Sequence, residues 1–173
     1  EMLEKEKILN TNDRLDLVTV ATPNSTHFEI TKSFLLEGFN VLCEKPITMT
    51  VEEAKELEKI SKDTGKICAV NYGYSGYPLV RQMRSMVLNG DLGDIRVVFA
   101  EFAGGFMADS SDEENPRVKW RFSAKHAGMA AISIDCGIHA INMACFVTDK
   151  KVIKVSSDFF SGIKSRELED DNL

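Results

Sequence analysis

Three short runs rich in β-branched and apolar residues, 16–22 (DLVTVAT), 40–44 (NVLCE) and 66–72 (KICAVNY), are separated by two segments of helical spacing. This alternation constrains the fold more than any other feature. Continuous apolar runs are the mark of strands buried on both faces, and strand–helix–strand repeats close through right-handed crossovers into a parallel sheet. The first intervening segment, 25–39 (STHFEITKSFLLEGF), opens on N-cap residues, sets Phe28, Phe34 and Leu35 on one face and stops at Gly38. The second opens with Thr50-x-x-Glu53, a capping box, and runs to Thr64 before Gly65. Residues 1–10 (EMLEKEKILN) have the spacing of the end of an amphipathic helix.

Sheets of this kind bind ligands outside the carboxyl ends of their strands. Three polar clusters fall there: Thr22-Pro23-Asn24, Glu44-Lys45-Pro46 and Asn71-Tyr72. After Pro78 the spacing predicts a helix to about Asn89, a turn over 90–93 and a half-exposed strand over 94–104 (DIRVVFAEFAG). A long loop rich in Gly, Ser and charge covers 104–128, and loops of this length in compact domains are often binding segments. An apolar helix over 132–148 and a strand over 151–162 (KVIKVSSDFFSG) follow.

Composition narrows the function classes. A chain of 173 residues with 43% hydrophobic and 28% charged residues suits a globular protein of one or two domains. The formal charge of −6, unrelieved by any Lys/Arg run, argues against a nucleic-acid or anionic-membrane surface. With no apolar stretch long enough to span a bilayer and no secretory core, a cytoplasmic location is the expectation. The cysteines Cys43, Cys68, Cys136 and Cys145 form no CxxC pair and read as reduced, small, buried hydrophobes.

Two constellations carry chemistry. Pro46 restricts Lys45 to an extended backbone at the strand end, and the bond between them is a candidate for the cis form. A partly desolvated ammonium aimed over the crevice is a usable proton donor or alkoxide stabiliser. The plainer reading is a solvated turn lysine paired with Glu44. In Asp135-Cys-Gly-Ile-His139, positions i and i+4 share a helix face, so a carboxylate can orient an imidazole acting as general base. The plainer reading there is a cap or a satisfied buried pair. Gly137 inside the same turn suggests close approach by a backbone or ligand. Asp135, Cys136, His139 and the distant His126 carry ligating atoms but lack a zinc spacing, so no metal is expected. His27, in the first turn of its helix, faces a ligand or water. Trp120-Arg121 offers an aromatic-plus-cation contact, and 167–171 (ELEDD) reads as a solvated turn.

Taken in order, ATPNSTH (21–27), LLEGFNVLCEKPITMTVEEAKEL (35–57), NGDLGDIRVV (89–98) and DCGIHA (135–140) resemble the glucose–fructose oxidoreductase, inositol dehydrogenase and rhizopine-catabolism family, Gfo/Idh/MocA. The resemblance covers essentially the whole chain. It implies an α/β fold: a partial Rossmann-type parallel sheet over 1–76, then over 77–173 the first part of an α/β domain with an open, mainly antiparallel sheet. It implies an oxidoreductase that moves a hydride between NAD or NADP and a hydroxyl-bearing carbon of a sugar, polyol or related compound. It also implies a homo-oligomer associating through the open sheet. In that likeness Thr22, Pro23 and Asn24 line the dinucleotide site with His27 close by. Glu44 and Lys45 lie at the nicotinamide, with Lys45 the catalytic lysine. Asp135 and His139 match the family's Asp/His pair, His139 taking the substrate hydroxyl proton. Trp120 and Arg121 resemble a loop pair that in some members reaches cofactor or substrate.

The departures are informative. No GxGxxG is present, so by the family's pattern the chain starts inside the helix after the second strand. The pyrophosphate turn and the residue that selects NAD or NADP are then expected upstream of Glu1, and most of the second sheet after residue 173. Such a piece alone is expected to bind a dinucleotide poorly. Residues 128–135 read GMAAISID where many members carry a glycine-rich run, and Ser75 stands where many have arginine. A non-catalytic dinucleotide or sugar sensor on the same fold is the alternative function, with Schiff-base chemistry at Lys45 a third.

Overall fold

The computed structural model describes residues 1–105 and 107–173, which divide into two compact units, Glu1–Asn71 and Tyr72–Leu173. In the first unit, α1 (Met2–Glu6) precedes β1 (Leu17–Val20), α2 (His27–Leu36), β2 (Asn40–Glu44), α3 (Val51–Thr64) and β3 (Cys68–Asn71). The strands form one parallel sheet in the order β1-β2-β3, with Val20 opposite Cys43 and Glu44 opposite Asn71. Val18, Val20, Phe34, Leu35, Phe39, Val41, Cys43 and Leu57 make the core. Phe34 and Phe39 meet edge to face at 5.5 Å, and the Arg14 guanidinium covers Phe39 at 3.7 Å.

Local sequence signals explain the boundaries. The Thr50 hydroxyl accepts the Glu53 N–H at 3.2 Å, and the Glu53 carboxylate accepts the N–H groups of Thr50 and Met49 at 3.2 and 3.0 Å. This satisfies donors that the first turn of α3 leaves open. Gly65 ends that helix at φ +66°, a left-handed conformation that side chains resist. One expectation needs correcting: β1 is not buried on both faces, because Val18 and Val20 are buried while Leu17 and Thr19 are exposed. The core cluster takes Val18 and Val20 on the face they share, and the face bearing Leu17 and Thr19 is uncovered within this unit.

In the second unit α4 (Pro78–Leu88) packs on a long helix whose first turns, Ser133–Gly137, are π-helical and which continues as α6 (Ile138–Thr148). Arg84 fastens the pair: its guanidinium donates to the Phe146 carbonyl and lies 2.7 Å from the Asp149 carboxylate. The loop expected over 104–128 contains two 3-10 turns, Ser110–Glu114 and Lys119–Phe122, and the short α5 (Ala124–Ala127). Phe106, within that loop, lies outside the described residues.

Both strands expected in this unit differ. Residues 94–104 form no ladder among the described residues and are nearly all exposed, and of 151–162 the paired part is its end, β4 (Phe159–Phe160) antiparallel to β5 (Asp171–Asn172) with Asp158 exchanging backbone hydrogen bonds with Leu173. Alternation predicts an extended backbone, whereas a strand also needs a partner to receive its hydrogen bonds. The acidic segment 167–171 is likewise not simply solvated. The Glu169 carboxylate accepts the N–H groups of Ala131 and Ser133, both at 2.9 Å, at the start of the π-helical turns. Arg166, its side chain 2% exposed, pairs with Asp170 at 2.8 Å and Glu113 at 2.9 Å. Among the described residues no helix is long and apolar enough to cross a membrane.

Candidate functional site

In the first unit the register places the polar turns together. Because Val20 lies opposite Cys43, the turn of Thr22, Pro23 and Asn24 and the corner of Glu44, Lys45 and Pro46 follow the carboxyl ends of neighbouring strands. The first turn is internally bonded. The Thr26 hydroxyl donates to the Pro23 carbonyl at 2.8 Å, so at the 2.6 Å contact between the two threonine hydroxyls Thr22 is the donor. Thr22 is exposed, Pro23 half-buried and Asn24 buried.

The Lys45–Pro46 peptide bond is cis, and Lys45 is half-buried. Glu44 is held from the side: one carboxylate oxygen accepts the Asn71 amide at 2.5 Å, and the other accepts the Lys45 backbone N–H at 3.3 Å. Asn71 stands at the carboxyl end of β3, opposite Glu44. Its strand-end position was visible in the sequence; its role as the orienter of Glu44 follows only from the register. His27 faces neither open crevice nor water. It is 1% exposed, with Nδ1 2.7 Å from the Pro46 carbonyl oxygen and Nε2 2.8 Å from that of Thr22.

The second unit holds the other candidates. Arg121 lies over the Trp120 ring at 4.4 Å, and its Nε is 2.9 Å from the Asp135 carboxylate. Asp135 and Gly137 belong to the π-helical turns, and His139 to the first turn of α6. Wide turns of this kind are frequent at functional sites. An aromatic cage that the spacing did not announce surrounds the imidazole of His139. Tyr74 meets it edge-on at 4.7 Å, Phe102 stacks at 5.9 Å and Tyr72 approaches edge-on at 6.3 Å. Burial pushes the Tyr72 phenol above its ordinary value. Ser75 donates to Asn142 at 2.7 Å.

A groove of about 610 Å³ in this unit is lined largely by hydrocarbon, including Met83, Val87, Ile95, Met143 and Val147, with His139 contributing. Its polar groups besides the imidazole come from Tyr74, Glu101 and Thr148. Among the described residues no group of three or more His, Cys, Asp or Glu gathers to hold a metal, so Asp135, Cys136, His139 and His126 form no such set. Cys43 is buried and its thiol is pushed up to about 11 by that burial, whereas Cys68, Cys136 and Cys145 are half-buried.

Comparison with known proteins completes the picture. A Gfo/Idh/MocA profile described as "Oxidoreductase family, NAD-binding Rossmann fold" matches residues 2–72. The "GFO/IDH/MocA C-terminal domain" profile matches residues 80–172. The chain is 38% identical over 162 residues to an uncharacterized oxidoreductase, YfiI, of Bacillus subtilis, covering 92% of this chain and 41% of that protein. It is 32% identical over 133 residues to the levoglucosan dehydrogenase of Pseudarthrobacter phenanthrenivorans, covering 77% of this chain and 33% of that protein. The crystal structure of an inositol dehydrogenase homolog complexed with NAD+ from Azotobacter vinelandii superposes with a TM-score of 0.92 at 36% identity. That match covers 98% of this chain and 44% of that one. The chain thus spans well under half the length of these relatives.

Proposed function

The chain belongs to the Gfo/Idh/MocA oxidoreductase family, and on that premise we propose that the protein transfers a hydride between NAD(P) and a hydroxyl-bearing carbon of a sugar, polyol or related compound. The observation that carries the proposal is Lys45, held at the carboxyl end of β2 beside the turn that ends β1. Carboxyl ends of adjacent parallel strands are where such sheets receive nucleotides. The residues present fit a nicotinamide: a polar turn at Thr22, Pro23 and Asn24, a half-buried ammonium, and a carboxylate fixed by Asn71.

When bound, the nicotinamide supplies the hydride acceptor or donor. Thr22, Pro23, Asn24 and Glu44 would hold it, with Trp120 and Arg121 reaching cofactor or substrate. The Lys45 ammonium stabilises charge developing on the substrate oxygen. A ring nitrogen of His139 takes the hydroxyl proton in the oxidising direction and returns it in reduction. Asp135 holds Arg121, fixing the segment that carries the Trp120-Arg121 pair. Self-association through the open sheet and a cytoplasmic location belong to the same proposal.

The test is Lys45→Met in the full-length protein, assayed by NAD(P)H absorbance against a panel of polyols and sugars. Removing a positioned charge that stabilises the developing oxyanion is expected to lower kcat by about 10²–10³-fold, with the NADH dissociation constant little changed. Full turnover by the variant would refute the role of Lys45. Cofactor binding by the wild type without turnover of any panel member would favour the sensor.

A further inference from the structure

His27 is the buried polar group whose bonds reach furthest across the candidate cofactor seat. It opens α2, yet its ring is spent on two turns outside that helix: Nδ1 on the Pro46 carbonyl oxygen at 2.7 Å and Nε2 on the Thr22 carbonyl oxygen at 2.8 Å. One partner belongs to the turn after β1, and the other is the proline bonded to Lys45. Both turns leave adjacent strands, so the imidazole is a rigid cross-piece between them. At 1% exposure neither water nor a ligand reaches the ring.

We propose that His27 is a positioning residue that sets where Lys45 stands relative to the Thr22–Asn24 turn. This deepens the hydride-transfer reading and rests on it. The chemistry fits an imidazole better than its alternatives. Backbone carbonyls only accept, and the ring presents nitrogens on opposite edges of one stiff plane. A hydroxyl presents one polar atom, and an amide presents both of its polar atoms at one end of a flexible stem, so neither spans the two turns as the ring does. In the turn after β1 the Thr22 and Thr26 hydroxyls are already committed, to each other and to the Pro23 carbonyl. Without His27 the Pro46 and Thr22 carbonyls lose their contacts with the ring, and the corner bearing Lys45 loses its link to the opposite turn. An ångström-scale displacement of a reacting group is worth about 100-fold in rate.

The test compares wild type, His27→Leu and His27→Gln in the full-length protein, each quantified as folded material by far-UV circular dichroism. The readouts are the NADH dissociation constant by fluorescence, kcat, and the KM for the hydroxy compound. For His27→Leu we expect NADH affinity to weaken about tenfold and kcat to fall about 100-fold. His27→Gln, which can still reach one of the two carbonyls, should lie between, and KM for the hydroxy compound should stay within about twofold. If His27→Leu fails to fold, His27→Gln carries the same comparison. A lower melting temperature with kcat and NADH affinity unchanged per folded molecule would overturn the proposal, leaving a merely structural histidine. Should the wild type bind NADH without turning over any substrate, the hydride-transfer reading fails. The clamp is then judged on NADH affinity alone, and an unchanged affinity in the variants overturns it.

Discussion

Replacing Arg166 with methionine isolates one buried charge and has a calculable consequence. The guanidinium joins four places: Asp170 at 2.8 Å, Glu113 at 2.9 Å, the Asp109 carbonyl at 3.0 Å and the Met107 carbonyl. It also lies 4.8 Å from the Phe122 ring, so it ties the tail to the segment carrying Trp120 and Arg121. Methionine keeps much of the unbranched stem and removes the charge. Breaking one partner of a buried ion pair costs about 3–5 kcal/mol. The Asp170 carboxylate keeps the N–H groups of Gly162 and Ile163 and the Ser161 hydroxyl, at 2.8, 3.4 and 3.0 Å, which places Arg166→Met at the lower end. The expected loss is about 3 kcal/mol at pH 7.

Urea unfolding followed by the single tryptophan, Trp120, reports on the tethered segment itself. A double-mutant cycle with Asp170→Asn should show a coupling of about 1–3 kcal/mol. Burial pulls the Asp170 carboxyl upward, but its hydrogen bonds from Gly162, Ser161, Ile163 and Arg166 outweigh this and hold it below the usual 3.8. Its folded-state value being lowered, its contribution is complete above about pH 4 and is lost as pH falls through the folded value. The gap between wild type and variant should therefore narrow in acid. A loss under about 1 kcal/mol at pH 7, or additive single effects, would refute the reasoning.

Two further outcomes follow from the first unit. Thr50→Ala removes half of the capping box at α3 and should cost about 1 kcal/mol in urea unfolding, with Glu53→Ala comparable; no loss in either would show that the cap is not formed in solution. The buried Cys43 thiol, raised to about 11 from the usual 9.0, should resist alkylation at pH 8 in the native protein and react promptly in urea. Because its folded value is raised, the stability it confers is complete below about pH 9 and is lost as pH rises towards 11, so the native state should weaken over that window.

Much of the first unit was legible because its signals are local. Strand runs, the Thr50-x-x-Glu53 box and the stop at Gly65 each involve residues within a few positions of one another. The cis bond at Lys45–Pro46 was legible for the same reason, since proline at a sharp strand end is a covalent fact about neighbours. The second unit was harder. Residues 94–104 alternate as a strand should, but alternation describes one chain and pairing requires two. The acidic 167–171 looked solvated because charge is normally exposed, and nothing nearby announces that Glu169 caps turns 36 residues upstream at Ser133.

The amino-acid sequence by itself determined the parallel order of alternating strands and helices, the caps that bound them, and which polar turns fall at the strand ends. It also carried the residue types on which the hydride-transfer proposal rests. Only the tertiary structure decided what those side chains do. Asn71 takes hold of Glu44 27 residues away, His27 spans two turns, and Tyr74 and Phe102 enclose His139. Capping and strand patterning are satisfied within a turn or a strand, so sequence spacing encodes them. Hydrogen bonds and ring contacts between distant segments depend on register and packing, which exist only once the chain has folded.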